Sequence, residues 1–193
     1  MLAGPAERAG PQVVALVEGM SDQVALEVLA VRRGRALAAE GISIVAMGGA
    51  TNIGHFLNLF GPRGLGIKLA GLCDAAEEGF FRHALGQAGF GTGLSRTEME
   101  ALGFYVCDAD LEEELIRALG AAAVERIIEA EGEIGSFRTF QQQPFQQGRS
   151  VEMQVHRFMG TRSGRKKGYA RLLVNALDLT QVPRPLDGVL AHV

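Results

Sequence analysis

Val13-Val14-Ala15-Leu16-Val17-Glu18-Gly19-Met20-Ser21-Asp22 is the stretch that decides how this chain is read. Five apolar residues, three of them β-branched valines, make a short buried strand. The run ends in an acid and a glycine, and a second acid follows four residues on, where a helix begins. A strand that delivers a carboxylate to its C-terminal end is a common way for α/β proteins to build a site. With the helix starting at Ser21 or Asp22, both Glu18 and Asp22 lie at the strand–helix turn. Two carboxylates there suit a hard divalent cation, which takes oxygen ligands and often only one or two from protein. The same residues also fit a plainer arrangement, with Glu18 a solvated turn residue and Asp22 an N-cap.

The alternation continues beyond this stretch. Asp22–Ala39 reads as a helix with a broad apolar face, and Ile42–Met47 as a second strand closed by Gly48 and Gly49. Thr51 or Asn52 caps a helix through Phe60, which Gly61-Pro62 stops. Ile67–Cys73 is a third strand ending at Asp74. Glu77–Gln87 is helical, Gly89–Gly93 is a glycine-rich loop, and Phe104–Cys107 is a fourth strand ending at Asp108. Strands alternating with helices imply an α/β fold with a parallel sheet and right-handed crossovers. The second half is helical in pattern, over Asp110–Leu119, Ala121–Glu131, Val151–Met159 and Arg165–Leu177. A glutamine-rich helix-and-loop segment lies at Phe137–Gln147, and Pro183 and Pro185 punctuate the tail. The expected architecture is a four-stranded parallel α/β core with a helical C-terminal part folded onto it.

Composition narrows the function. Of 193 residues, 47% are hydrophobic, which argues against disorder. The formal net charge of -3 gives no global attraction to nucleic acid, so any such binding needs a local basic patch. Cys73 and Cys107 form no C-x-x-C pair, which argues against a zinc ribbon. Both read as buried free thiols, and a cytoplasmic protein fits them. No apolar run is long enough to span a membrane. The first eleven residues lack the order of a signal peptide and read as a flexible lead-in or a cut from a longer chain.

In a parallel sheet the C-terminal strand ends share one edge, where ligands bind. That edge gathers Glu18, Gly48–Gly49, Asp74 and Asp108–Asp110. Three strands of four end in an acid, which points to a cation site more strongly than any one acid does. From Asp108 to Glu114 there are five acids in seven residues. Some only complement a helix N-terminus. Asp110 and Glu112, nearest the strand end, are the ligand candidates, whereas Glu113 and Glu114 are expected to face solvent. The opposite charge comes later. Met153 to Leu177 contains no acid but carries Arg157, Arg162, Arg165, Lys166, Lys167 and Arg171. The segment G-T-R-S-G-R-K-K ahead of a helix places cations and backbone donors where a phosphate could be met. It also fits a solvated cationic helix start. There is no Walker motif and no G-x-S-x-G elbow. His55, His83, His156 and His192 are scattered and read as structural or exposed. Tyr105 and Tyr169 read as buried, not as nucleophiles.

V-V-A-L-V-E-G-M-S-D, then M-G-G, then L-A-G-L-C-D, resembles a Toprim domain, the catalytic fold of topoisomerases, DnaG-type primases and overcoming-lysogenization-defect (OLD) nucleases. The E-x-x-x-D of Glu18 and Asp22, the D-L-E of Asp110–Glu112 and the R-K-K-G-Y-A of Arg165–Ala170 resemble the OLD type in particular. The resemblance implies a single Toprim-like domain over 12–193. Residues 12–119 would be the α/β core and 120–193 a helical extension carrying the lysine segment, behind a lead-in at 1–11. It implies that Glu18, Asp22, Asp74, Asp110 and Glu112 hold one or two Mg²⁺ or Mn²⁺ ions for DNA phosphodiester cleavage, with Glu18 and Lys166 catalytic. Lys167 is the alternative to Lys166, and Arg162, Arg165, Lys166 and Lys167 would contact phosphate. Toprim domains usually carry D-x-D after the third strand, and here the second acid is replaced by Ala76. Glu78 would compensate if the turn brought it back, and Asp108 is a further acid at the edge. OLD nucleases place an ATPase domain ahead of the Toprim part. The chain is therefore expected to be a free-standing relative, a partner of a separate ATPase subunit, or an excised domain. Self-association as a homo-oligomer is compatible with it. Two other readings stay open: a module that binds metal and nucleic acid without cleaving, and an enzyme acting on a small phosphorylated substrate.

Overall fold

In the computed structural model, which describes residues 10–193, four short strands pair in parallel. Most of the lead-in expected over 1–11 thus lies outside the described residues. The strands are β1 (Val13–Val17), β2 (Ile42–Ala46), β3 (Lys68–Cys73) and β4 (Phe104–Val106), in the spatial order β2-β1-β3-β4. Val13 pairs with Ile42 and Lys68, Val17 pairs with Ala46 and Leu72, and Cys73 pairs with Val106. This register brings Glu18, Gly48, Asp74 and Cys107 to one edge, within a residue of one another just past the strand ends.

The helices are α1 (Met20–Arg32), α2 (Ile53–Phe60), α3 (Glu78–Ala88), α4 (Arg96–Ala101), α5 (Leu111–Leu119), α6 (Ala121–Ala130), α7 (Ile134–Gln141), α8 (Val151–Met159), α9 (Arg165–Ala176) and α10 (Arg184–His192). Both faces of the sheet are covered, which is why β1 is apolar at every position instead of alternating. Ala15, Val17, Ala70 and Leu72 face one apolar cluster, which continues through α1 and the C-terminal helices. Val14, Leu16, Leu69 and Cys73 face the other, with Phe81, Leu85, Met99 and Phe104 from α3, α4 and β4. Cys73 and Cys107 are buried free thiols, and burial pushes both thiol pKa values up. No helix among the described residues is long and apolar enough to cross a membrane.

Among the elements that differ from the sequence expectation are the first helix, α4 and α10, the last a helix where the sequence shows only a proline-punctuated tail. The first helix stops at Arg32 instead of Ala39, because Gly34 takes φ +74° and lets the chain reverse. Gly34 N–H donates to Val31 O (2.9 Å) and Arg35 N–H to Ala30 O (2.9 Å), a Schellman-type ending that satisfies the last carbonyls. The second is α4, which the pattern of apolar residues does not announce. Ser95 and Glu98 form its capping box: Ser95 N–H donates to Glu98 Oε2 (2.8 Å), and Glu98 N–H to Ser95 Oγ (3.3 Å).

β3 can lie close to β4 only because Gly71 has no side chain. A Cβ there would sit 2.6 Å from the fully buried Phe104 ring and 3.1 Å from Leu16 O. Gly71→Ala is expected to destabilise the fold by about 1–3 kcal/mol, the usual cost of overfilling a core. Urea denaturation checks this, and an unchanged midpoint would contradict it.

Candidate metal centre

Glu18 is held at the sheet edge by both its backbone and its side chain. Its carbonyl accepts from Gly48 N–H and Gly49 N–H, both at 3.0 Å. Two successive donors can turn onto one oxygen because Gly48 and Gly49 take φ of +75° and +126°. The Glu18 carboxylate accepts from Asp74 N–H (3.0 Å), which ties the end of β1 to the end of β3. Asp22 is not the N-cap. α1 begins at Met20, and Asp22, in its first turn, reaches back to accept from Gly19 N–H (2.8 Å). The hydrogen bond fixes one oxygen in a residue only 8% exposed.

Across the edge, Asp110 is the N-cap of α5. Its Oδ1 accepts from Glu113 N–H (2.8 Å), and its Oδ2 lies 2.6 Å from His156 Nε2 on α8. A carboxylate only accepts, so the histidine is the donor. Glu112 is 4% exposed, and its Oε2 accepts from Lys166 Nζ (3.0 Å) on α9. Its Oε1 is buried with no hydrogen-bond partner. Donor atoms of Asp110, Glu112 and His156 lie within 4.8 Å of one another.

The pKa shifts report crowding of negative charge. Burial is the main cause that pushes Asp22 up to about 6, with the Glu112 and Glu18 charges adding to it. Burial also pushes Asp74 up to about 7, reinforced by Glu18, Asp22, Asp110 and Glu112. Glu18 is raised by burial, against the Asp74 hydrogen bond, and Glu77 raises it further. Asp110 moves the other way. Burial would raise it, but the His156 and Glu113 hydrogen bonds and the His156 and Lys166 charges hold it below the ordinary aspartate range. His156 is raised in turn, chiefly by its hydrogen bond to Asp110. Burial would lower Lys166, but Glu112, Asp110 and Asp74 outweigh it and keep the ammonium charged.

An orphaned buried carboxylate oxygen beside four further acids is costly without a cation. The donors are mostly hard oxygens, as Mg²⁺ and Mn²⁺ prefer. The residues present therefore fit a divalent metal. Glu18, Asp22, Asp74, Asp110 and Glu112 act on one another electrostatically, and Lys166 faces them.

The remaining expected residues point elsewhere. Glu78 does not return to the edge: Arg82 holds one oxygen and Arg96 Nε the other (2.8 Å). Glu77 is the acid whose charge reaches Glu18. Asp108 is exposed and pairs with Arg117 (3.0 Å). Glu114, expected to face solvent, is 2% exposed: it accepts from Asp108 N–H (2.8 Å) and pairs with Arg117 (2.5 Å). Arg165 is engaged within the fold: its side chain is 6% exposed, pairs with Glu133 (2.8 Å) and stacks 4.1 Å from the Phe158 ring centre, so it braces α9. Arg162 is largely exposed, 3.6 Å from the same Glu133, and Lys167 is exposed. His156 reads in the sequence as structural or exposed, because nothing local links it to Asp110.

Residues 12–75 match the family model described as overcoming lysogenization defect protein-like, TOPRIM domain. The family match is confined to that segment, whereas the likeness of fold extends over nearly the whole chain. The C-terminal region of the Xanthomonas campestris pv. campestris OLD protein superposes with a TM-score of 0.72 at 22% identity, covering 95% of this chain and 92% of that one. The C-terminal region of the Burkholderia pseudomallei OLD protein gives 0.72 at 20% identity, covering 94% and 96%. Among curated proteins, none matches the chain. Glu18, Asp22 and Asp74 lie inside the segment that matches the family model. Asp110, Glu112, His156 and Lys166 lie beyond it and join the site through the fold.

Proposed function

We propose that the chain is a Mg²⁺- or Mn²⁺-dependent nuclease-like protein that cuts or nicks DNA phosphodiesters. The observation that carries this reading is the buried Glu112 carboxylate, with one oxygen on Lys166, the other unpartnered, and its charge felt at Asp22 and Asp74. Glu18, Asp22, Asp74, Asp110 and Glu112 would hold the metal. When bound, such an ion supplies activation of water and neutralisation of phosphoryl charge. The backbone ties of Glu18 keep its carboxylate in place without reorganisation. Asp110 is held in its rotamer by Glu113 N–H and His156. Lys166 supplies a fixed positive charge where negative charge develops on the phosphoryl oxygens, and phosphoryl transfer depends chiefly on such positioning and electrostatics. Arg162 and Lys167, at the start of α9, are placed to meet flanking phosphates. A separate ATPase subunit and a cytoplasmic setting belong to the same proposal, by analogy with the family.

The test is supercoiled plasmid incubated with the purified chain and Mg²⁺ or Mn²⁺. Nicking is expected, abolished by EDTA and by Glu18→Ala. Nicking that persists in Glu18→Ala would overturn the mechanism. The second reading, a module that binds metal without cleaving, is favoured by Ala76 and by the diversion of Glu78 to Arg82 and Arg96. Calorimetric metal binding without nicking would select it.

A further inference from the structure

The glutamine-rich segment ahead of α8 is not used by the metal centre, yet it adjoins it. An open groove of about 740 Å³ runs between α7, α8 and the start of α9. His156 and Lys166, both of the metal centre, line one end. Phe145, which is 61% exposed, and Gln146 line the groove as well. Gln146 is fully buried, and both its amide Oε1 and its Nε2 lack a hydrogen-bond partner. Leaving a buried donor and acceptor unsatisfied is destabilising, because both have given up water without a replacement partner.

The surrounding glutamines show that this is not a general failure of the segment. Arg138 donates to Gln141 Oε1 (2.8 Å), Gln141 Nε2 to Gln154 Oε1 (2.7 Å), and Gln154 Nε2 to the backbone carbonyl of Gln146 (2.9 Å). The chain of amides is satisfied link by link and ends by fixing the backbone of Gln146. Only the Gln146 side-chain amide is left with an open donor beside an open acceptor.

We propose that this groove takes one unpaired nucleobase of the substrate strand, with the adjoining phosphate at the His156–Lys166 end. Every nucleobase carries a donor beside an acceptor on its Watson–Crick edge, the complement of a carboxamide; the Gln146 amide, buried and unpaired in the free protein, turns into the groove to meet it. In a duplex that edge is already used, so the groove selects single-stranded or extruded nucleotides. Phe145 offers an exposed ring for stacking, a contact that tolerates any sequence because every base has a π-face. This deepens the phosphodiester reading above and rests on it for the role of the metal centre.

The test measures binding without turnover, by fluorescence anisotropy of the full chain in EDTA. The probes are a labelled mixed-sequence 12-mer DNA strand, an abasic 12-mer with the same sugar-phosphate backbone, and the fully paired duplex. The 12-mer is expected to bind at least about fivefold more tightly than the other two, in line with one stacked base. Phe145→Ala, an exposed position that does not threaten folding, should remove most of that preference. Gln146→Leu, which keeps the buried volume, should reduce it. Equal affinity for the abasic and normal strands, or a preference untouched in both variants, overturns the proposal. Plasmid nicking with no preference for bases would sink this inference alone, and base-dependent binding without nicking would sink only the cleavage reading.

Discussion

Asp22→Asn is expected to make the metal-free protein more stable at pH 8, by roughly 1–3 kcal/mol, while removing most of its response to divalent metal. Asp22 titrates at about 6 in the folded chain, against an ordinary value near 3.8, because burial and the Glu112 and Glu18 charges disfavour its ionised form. The folded state therefore binds more protons than the unfolded chain between about pH 4 and pH 6, and stability falls as pH rises through that window. Above it, the full cost of the buried charge is present, of order 2–3 kcal/mol for a shift of this size. Asparagine keeps an acceptor for Gly19 N–H and removes the charge. Below about pH 4, where Asp22 is protonated in both states, the advantage should vanish. Urea denaturation in EDTA at pH 8 and pH 4 checks both halves. A mutant no more stable than wild type at pH 8 would show that Asp22 is not under electrostatic strain. Asp74, raised to about 7 for the same reasons, extends the window upward. Metal binding to the wild type must displace those protons, so its affinity should weaken steeply from pH 7.5 to pH 5.5. Saturating metal at about 100 times its Kd would stabilise wild type by about 2.7 kcal/mol. Asp22→Asn should show little of this.

The sheet and the first half of the site are legible in the sequence because each depends on short-range pattern. β1, β2 and β3 are near-continuous apolar runs, and the acids after β1 and β3 fall on the shared edge by the geometry of parallel pairing alone. The second half is assembled by long-range contacts that no local pattern encodes. Asp110 and His156 are 46 positions apart, and nothing in either neighbourhood names the other. Arg165 and Lys166 are adjacent in sequence and equally cationic, yet a helix turns about 100° per residue. That rotation sends Arg165 to Glu133 and Phe158, and Lys166 to Glu112. Glu114 misleads in the same way: Glu113 and Glu114 both read as solvated, but Glu114 is drawn inward by Asp108 N–H and Arg117. The Ser95–Glu98 capping box is different, since S-R-T-E was present to be read and α4 follows from it.

Lys166→Met is expected to lower the nicking rate by about 10²–10³-fold without weakening metal binding, the loss typical of removing one preorganised donor at developing charge. Methionine retains the length and apolar stem of lysine, so contacts along α9 persist while the ammonium is removed. The pair with Glu112 is also lost, which leaves a buried carboxylate wholly dependent on the metal. Taking one positive charge out of a cluster of five acids should therefore raise the affinity for Mg²⁺ or Mn²⁺, even as turnover falls. That opposition separates a catalytic ammonium from one that merely holds Glu112 in place. A structural role would weaken metal binding and turnover together, and excess Mn²⁺ would restore the rate. The same substitution at Lys167, which is exposed and off the Glu112 contact, should cost far less. Nicking unaffected by Lys166→Met but lost in Lys167→Met would move the catalytic cation to the neighbouring residue and require α9 to turn during the reaction.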